Sequence, residues 1–359
     1  MEMHVAHLSR ELARRGHQVV LLCSPGSRLA SATPTKVADL SVPGYVALRS
    51  VFRAAQLLRA FRPDVVHVHY SRDLWVIVPA LWGLPGVPLV FTKHIGTRRP
   101  KRDPLHAYLY RRVDQAIAIS QVIARNLQET HPLPQRKIRV LYHGVDVDAF
   151  QAARAERDQV RRELGLERHH FVAGILGRLE PHKGHLEFIA MAERVAAELP
   201  HARFLIVGGE TVGEEEKAEV IRRRWRESSA RERICLTGFR SDVPRVLSAM
   251  DVFVFPSHAE AFGLVLIEAM AAGLPVVTSN CDGVLDVVED GVTGWTVSPT
   301  DVDALAARVL ELARDADLRE RMAAAALTQA RERFDLQRML GELEGLYRHL
   351  TETRRTRLF

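Results

Sequence analysis

The sequence predicts an α/β protein of two domains, each a parallel sheet covered by helices. Three observations lead there. Short apolar runs rich in β-branched residues or Phe recur along the 359-residue chain, with helical patterns between most of them. That alternation builds parallel sheets. The runs end in small or polar residues: 204–207 in Gly208-Gly209, 234–237 in Gly238-Phe239, 252–255 in Pro256-Ser257. The length corresponds to two domains at roughly 150 residues each, and a hydrophobic content of 47% is ample for two cores.

Taken in order, residues 3–15 form an amphipathic helix with Val5, Leu8 and Leu12 on one face and Gly16 as its stop. Strands follow at 19–23, 65–69, 89–92, 115–119 and 138–141. Residues 74–91 carry no charge, which raises the question of a membrane span. Pro79, Gly83, Pro85, Gly86 and Pro88 interrupt the stretch, so it reads as a buried helix, a loop and a strand from 88 to 92. A division falls between 155 and 156. The second domain opens with the buried strand 171–176 and continues through 204–207, 234–237, 252–255 and 275–278. A last helix over 335–354 carries Met339, Leu343, Leu346 and Leu350 on one stripe.

Composition narrows the class. Three cysteines, Cys23, Cys235 and Cys281, lie far apart with no metal spacing, which points to a reducing compartment. The first fifteen residues are amphipathic rather than a secretory leader. The net charge of +6 asks for an acidic partner. Arg98, Arg99, Lys101 and Arg102 cluster in the first domain and are expected to touch an anionic acceptor or anionic inner-membrane surface. The runs Arg222-Arg223-Arg224-Arg226 and Arg354-Arg355-Arg357 read as solvated surface. Few aromatics and no recognised motif argue against nucleic acid.

The chemistry concentrates in two loops. Glu260 to Glu268 reads EAFGLVLIE, after the strand 252–255 and at the start of a helix ended by Gly273. A helix start near Gly263 and Leu264 leaves backbone N–H groups without intrahelical partners and attracts phosphates. The flanking acids, Glu260 and Glu268, suit hydroxyls at either end of a diphosphate; a helix through all eight positions would separate them by roughly 12 Å. The second loop, Gly177 to Gly184, reads GRLEPHKG after the strand 171–176. Loops at the carboxyl ends of parallel strands bind ligands in open sheets. Arg178 and Lys183 supply a planar fork and a mobile point charge for a diphosphate. The loop is not the phosphate loop of nucleoside triphosphatases, because Gly184 follows Lys183 where Ser or Thr is required.

With Arg-x4-Lys, then TGF, then Glu-x7-Glu enclosing FGL, the chain resembles the family-four retaining glycosyltransferases of GT-B fold. GHQVVLLC, DVVHVHY, FTKHIG and YHGVDVDAF extend the resemblance over nearly the whole chain. It implies two Rossmann-like domains facing a central cleft. Residues 1–155 would form the acceptor domain, 156–334 the nucleotide-sugar domain, and 335–359 a helix crossing back to the first domain with a basic tail. It implies transfer of a hexose-type sugar from a UDP- or GDP-sugar to an acceptor hydroxyl with retention, without a bound cofactor or metal. The acceptor would be a glycan, a lipid-linked sugar or a small molecule. Cell-envelope glycan, lipopolysaccharide or glycolipid synthesis is the expected setting, in the cytoplasm or at the inner face of its membrane.

Carried over by motif, Arg178 and Lys183 stabilise the leaving diphosphate and Glu260 holds sugar hydroxyls. Glu268 takes the ribose. Gly177, Phe262, Gly263 and Leu264 approach the phosphates, and Gly238, Phe239 and Val243 line the base. His94, in FTKHIG, is the candidate contact to the sugar from the first domain. His67 and His69 share a strand face and with His94 could mimic a metal triad, but no carboxylate or Cys completes a zinc spacing. His143 stands where many relatives have Asn, with no functional consequence drawn. Relatives usually begin with a strand and a Gly-rich turn before the helix at 3–15, so a sequence shortened at its start is expected, with the donor-side turn missing. Alternatives from the same fold are an epimerase-like enzyme, a pyridoxal-dependent phosphorylase and a non-catalytic nucleotide-sugar binder.

Overall fold

The computed structural model describes residues 2–32, 35–42, 44 and 47–356. The chain forms two compact units, one of Met1–Tyr142 with Met339–Phe359, the other of His143–Arg338.

Among the described residues of the N-terminal unit every paired strand is parallel. Strands β1 (Val20–Cys23) and β2 (Lys36–Asp39) form one pair. Strands β3 (Val66–Val68), β4 (Leu89–Lys93), β5 (Gln115–Ala118) and β6 (Ile138–Val140) form a separate four-stranded sheet in that order. All five residues of β4 are buried, as an interior parallel strand requires. Helix Leu74–Ala80 is buried along most of its length, and a 3-10 turn at Leu81–Gly83 ends it. Among the described residues no helix is long and apolar enough to cross a membrane.

The final helix, Leu336–Thr356, runs into this unit from residue 339 onward. Its apolar stripe of Met339, Leu340, Leu343, Leu346 and Leu350 is buried. Polar contacts fix its register. Glu344 takes Arg15 at 2.8 Å and His17 at 3.0 Å. Arg354 donates twice to Asp114 Oδ1, from Nε at 3.0 Å and Nη2 at 2.6 Å. The other oxygen of Asp114 takes Arg112 at 3.0 Å and the Leu89 N–H at 2.8 Å, so one carboxylate ties the start of β4 to the last helix. The expectation of a solvated basic tail is corrected for Arg354 alone; Arg355 is exposed as expected. Arg354 is paired and mostly covered; Arg357 lies outside the described residues. In the earlier basic run Arg224 is also engaged, forking onto Glu193 at 2.9 and 2.5 Å.

The C-terminal unit is a six-stranded parallel sheet. Its strands are β7 (Phe171–Leu176), β8 (Ala202–Val207), β9 (Ile234–Gly238), β10 (Val252–Phe255), β11 (Val276–Ser279) and β12 (Gly294–Val297). They run β12-β11-β10-β7-β8-β9 across the sheet. The order reverses between β7 and β10, and the loops leaving such a switch point part to form a crevice. Helices His185–Glu198 and Val302–Arg314 bury apolar stripes within this unit.

Two strands were not expected from sequence. β2 reads KVAD and, among the described residues, pairs with β1 alone. β12 reads GWTV and is an edge; a side chain at Gly294 would strike the Val276 carbonyl at 2.0 Å. The boundary also moves. Residues 143–155 pack in the C-terminal unit, where Gln151 donates to Ala271 O at 2.6 Å and Arg154 to Ala272 O at 3.2 Å. Gln151 lies in the helix Val147–Ala153 and Arg154 in the 3-10 turn that follows it, and a division at 155 would cut these contacts.

Candidate functional site

Strands β7 and β10 are hydrogen-bonded neighbours, Val252 opposite Ala173 and Phe253 opposite Gly174. Parallel pairing brings their carboxyl ends to one edge, so the loops that follow lie side by side. The first contains Gly177, Arg178 and Lys183; the second contains Glu260, Phe262 and Gly263.

Backbone packing locks the two loops together. Gly184 ends the 3-10 turn Pro181–Lys183 at φ +83°, and a Cβ there would meet the Pro256 carbonyl at 2.3 Å. Only glycine fits both demands. The His258 N–H donates to His182 O at 2.9 Å. Thr278 Oγ1 donates to Phe255 O at 2.7 Å and the Ser279 hydroxyl to Ser257 O, bracing the second loop from the end of β11. At Gly208 a Cβ would collide with the Gly177 carbonyl, which brings the end of β8 against the first loop.

Within this frame the Lys183 ammonium donates to Glu260 Oε1 at 2.5 Å, both side chains mostly covered. The Arg178 guanidinium lies 2.6 Å from Glu180 Oε1, and His182 Nε2 lies 2.9 Å from Glu180 Oε2. Glu180 is only 4% exposed, whereas Arg178 is 60% exposed. The buried acid anchors a cation whose other face is open. His185 is buried at the start of the next helix, its Nε2 2.8 Å from Arg178 O. Sequence reading missed Glu180, His185 and the His182–His258 latch. Glu180 lies between the two cations already singled out, and that placement was the available signal.

The helix after β10 is Leu264–Ala271, with Gly263 as N-cap at φ +86°. Residues 260–263 are therefore loop. The fully helical span between Glu260 and Glu268 is corrected to Leu264–Glu268, roughly 6 Å of rise. The amides at the helix start lie outside the i−4 ladder. Phe262 contributes backbone here; its side chain is buried edge-on to His143 at 5.5 Å and Phe334 at 5.9 Å. Leu264 is exposed. Burial pushes the Glu268 carboxyl up to about 7.

The third loop follows β9. Gly238 adopts φ +73°, Phe239 is 79% exposed, and Val243 opens the helix Val243–Ser248. Arg240 forks onto Asp242, Nε to Oδ1 at 2.7 Å and Nη2 to Oδ2 at 2.6 Å, which stiffens the turn. His94 belongs to the N-terminal unit, just beyond β4, and is buried. Arg98, Arg99 and Arg102 are exposed; burial lowers the Lys101 pKa.

The comparisons with known proteins agree with this layout. Residues 1–149 match the family described as Glycosyltransferase Family 4, and residues 156–329 match Glycosyl transferases group 1. A UDP-Gal:alpha-D-GlcNAc-diphosphoundecaprenol alpha-1,3-galactosyltransferase of Escherichia coli is 30% identical, over 72% of this chain and 68% of that protein. The chain belongs to the group 1 glycosyltransferases. A 2-deoxystreptamine N-acetyl-D-glucosaminyltransferase of Streptomyces fradiae is 29% identical over 93% of this chain and 87% of its own. The crystal structure of Anabaena HepE in complex with UDP and glucose superposes with a TM-score of 0.81 at 22% identity, covering 96% of this chain and 95% of that one. The fold is GT-B, with two Rossmann-like units. The protein is a glycosyltransferase acting on sugar donors, which sets aside the epimerase-like, phosphorylase and non-catalytic alternatives.

Proposed function

We propose that this glycosyltransferase moves a hexose-type sugar from a UDP- or GDP-sugar to an acceptor hydroxyl with retention of anomeric configuration. One observation carries the proposal: neighbouring parallel strands β7 and β10 set the Arg178–Lys183 loop beside Glu260 and the Leu264–Ala271 helix start. The C-terminal unit thus offers cations, oriented amides and hydroxyl acceptors at one sheet edge.

In this mechanism the bond from the anomeric carbon to the leaving phosphate oxygen breaks, and a bond to the acceptor oxygen forms on the same face. The leaving phosphate oxygen receives the acceptor proton. Negative charge grows on the diphosphate, where Arg178, Lys183 and the amides near Gly177, Gly263 and Leu264 oppose it. Each cation contact has a Coulomb component of about 4 kcal/mol at about 4 Å and an effective dielectric near 20, before desolvation. Only the part that grows toward the transition state accelerates transfer. Glu260 holds sugar hydroxyls, Glu268 the ribose, and the turn at Gly238, Phe239 and Val243 the base. His94 is assigned to the transferred sugar. The named activities of the Escherichia coli and Streptomyces fradiae relatives support a lipid-linked or small-molecule acceptor, and UDP in the Anabaena structure supports a uridine donor.

The setting proposed is cell-envelope glycan, lipopolysaccharide or glycolipid synthesis, with peripheral contact to anionic membrane. Arg98, Arg99, Lys101 and Arg102 support this, flanked by exposed Ile95 and Leu105. Vesicles of anionic lipid should sediment the protein, and charge reversal at these four positions should release it; unchanged sedimentation removes the membrane contact. For the reaction itself, a thermal-shift series with UDP- and GDP-sugars should give one stabilising donor. Turnover should persist in EDTA, with the anomeric configuration of the product read by NMR. An inverted product, or no shift with any donor, rejects the proposal.

A further inference from the structure

Behind His94 lies a ladder of imidazoles that the transfer mechanism has not used. His67 and His69 lie on or just past β3, Thr92 is on β4, and His94 follows β4. Contacts cross the two strands at constant spacing: His67 Nε2 to Thr92 Oγ1 at 2.7 Å, and His69 Nδ1 to His94 Nε2 at 3.2 Å. The His67 and His69 rings stack at 4.1 Å, and the His69 and His94 rings lie within 28° of parallel at 5.5 Å. His67 Nδ1 is 2.5 Å from the Tyr347 hydroxyl on the final helix. His4, from helix Glu2–Arg14, sets its ring edge-on to His69 and to His94. Among the described residues no three His, Cys, Asp or Glu side chains have the geometry of a metal site.

Burial decides the protonation of this cluster. It holds His67 and His69 well below the ordinary imidazole range and lowers His94 and His4 to about 3, with neighbouring imidazoles pushing the same way. The charge of Lys93 lowers His94 further. Each ring is therefore neutral at pH 7, with one N–H and one lone pair. A hydrogen bond between two neutral imidazoles needs the N–H of one and the lone pair of the other. Their tautomers are thereby coupled.

We propose that His69 is a positioning residue for His94: its Nδ1 fixes the plane and the tautomer of the His94 ring, and the Tyr347–His67–Thr92 chain holds His69 in place by stacking. The inference rests on the assignment of His94 to sugar transfer, but its first test does not. Long-range 1H–15N correlation on histidine-labelled protein should show His94 as one neutral tautomer from pH 6 to 8. A mixture of tautomers, or an imidazolium at pH 7, overturns the proposal without any variant.

Two substitutions then separate hydrogen bonding from packing. His69→Phe keeps a ring but removes the nitrogen; His69→Asn offers a polar atom near the Nδ1 position. With His69→Phe the His94 tautomers should mix, and kcat should fall about tenfold while donor KM moves less than twofold. His69→Asn should restore the single tautomer and most of kcat. A single His94 tautomer in His69→Phe, or equal kcat in the two variants, refutes the positioning role. Full activity in His94→Ala would instead reject the assignment of His94 itself, with the spectra still judging the ladder.

Discussion

The Lys183 ammonium donates to Glu260 Oε1 at 2.5 Å, across 77 positions of sequence. This contact joins the loop after β7 to the loop after β10 and places the cation proposed to bind phosphate beside the acid proposed to hold sugar hydroxyls. Lys183→Ala should abolish the donor-induced thermal shift and lower kcat/KM by about a thousandfold, which corresponds to about 4 kcal/mol. Full donor affinity in this variant, measured by calorimetry, would falsify the diphosphate assignment. Glu260→Gln should spare nucleoside diphosphate binding and weaken only the intact nucleotide sugar.

Arg178 depends on Glu180, the buried acid 2.6 Å away. Glu180→Gln removes the charge that anchors the guanidinium and leaves the loop glycines untouched. Donor KM should rise several-fold, with a smaller change in kcat. Steady-state kinetics beside a urea melt checks this. A loss of stability with normal KM would make Glu180 a packing residue.

Glu268 gives a pH signature. Its folded carboxyl titrates at about 7 against an ordinary 4.5. Between those values the native state keeps a proton that the unfolded chain has lost, so stability falls as pH rises through this window. The cumulative loss is at most about 3 kcal/mol, complete above pH 7. Glu268→Gln should match wild type in urea melts near pH 4.5 and exceed it at pH 8. Donor affinity in wild type should tighten from pH 6 to 8, because the proposed ribose contact needs the ionised carboxylate, and should be flat in the variant.

Asp114 ties β4 to the last helix through Arg354, Arg112 and the Leu89 N–H. Asp114→Ala strands two mostly covered guanidinium groups and a backbone donor. The expected cost is about 3 kcal/mol, because removing one partner of a buried ion pair leaves the other unpaired. Replacing Asp114 and Arg354 together should cost less than the sum of the single changes, as a double-mutant cycle in urea would reveal.

Much of this was legible from sequence because burial writes itself into composition. β7 and β10 lie inside a parallel sheet and read as unbroken apolar runs, FVAGIL and VFVF. The edge strands β2 and β12 lack that signal; among the described residues KVAD and GWTV face one neighbour each and carry polar or glycine positions. The candidate loops were legible because each follows such an apolar run and combines glycine with charged residues. Their partners were not. Glu180 reads as an ordinary loop acid, and Asp114 and Arg354 are 240 positions apart. His67 and His69 visibly share a strand face, but nothing in the order of residues announces Tyr347 as their neighbour.

Periodicity and residue chemistry by themselves determined the alternating α/β architecture, the strands that carry the loops, and the cations and acids within them. These are local properties, set by which residues can be desolvated and which backbone shapes glycine permits. Tertiary structure alone decided that Lys183 meets Glu260, that Glu180 is buried beneath Arg178, and that burial holds His67, His69 and His94 below the ordinary imidazole range. Charge pairing and proton affinity depend on desolvation and on distances across the fold, and the pairing of parallel strands creates both.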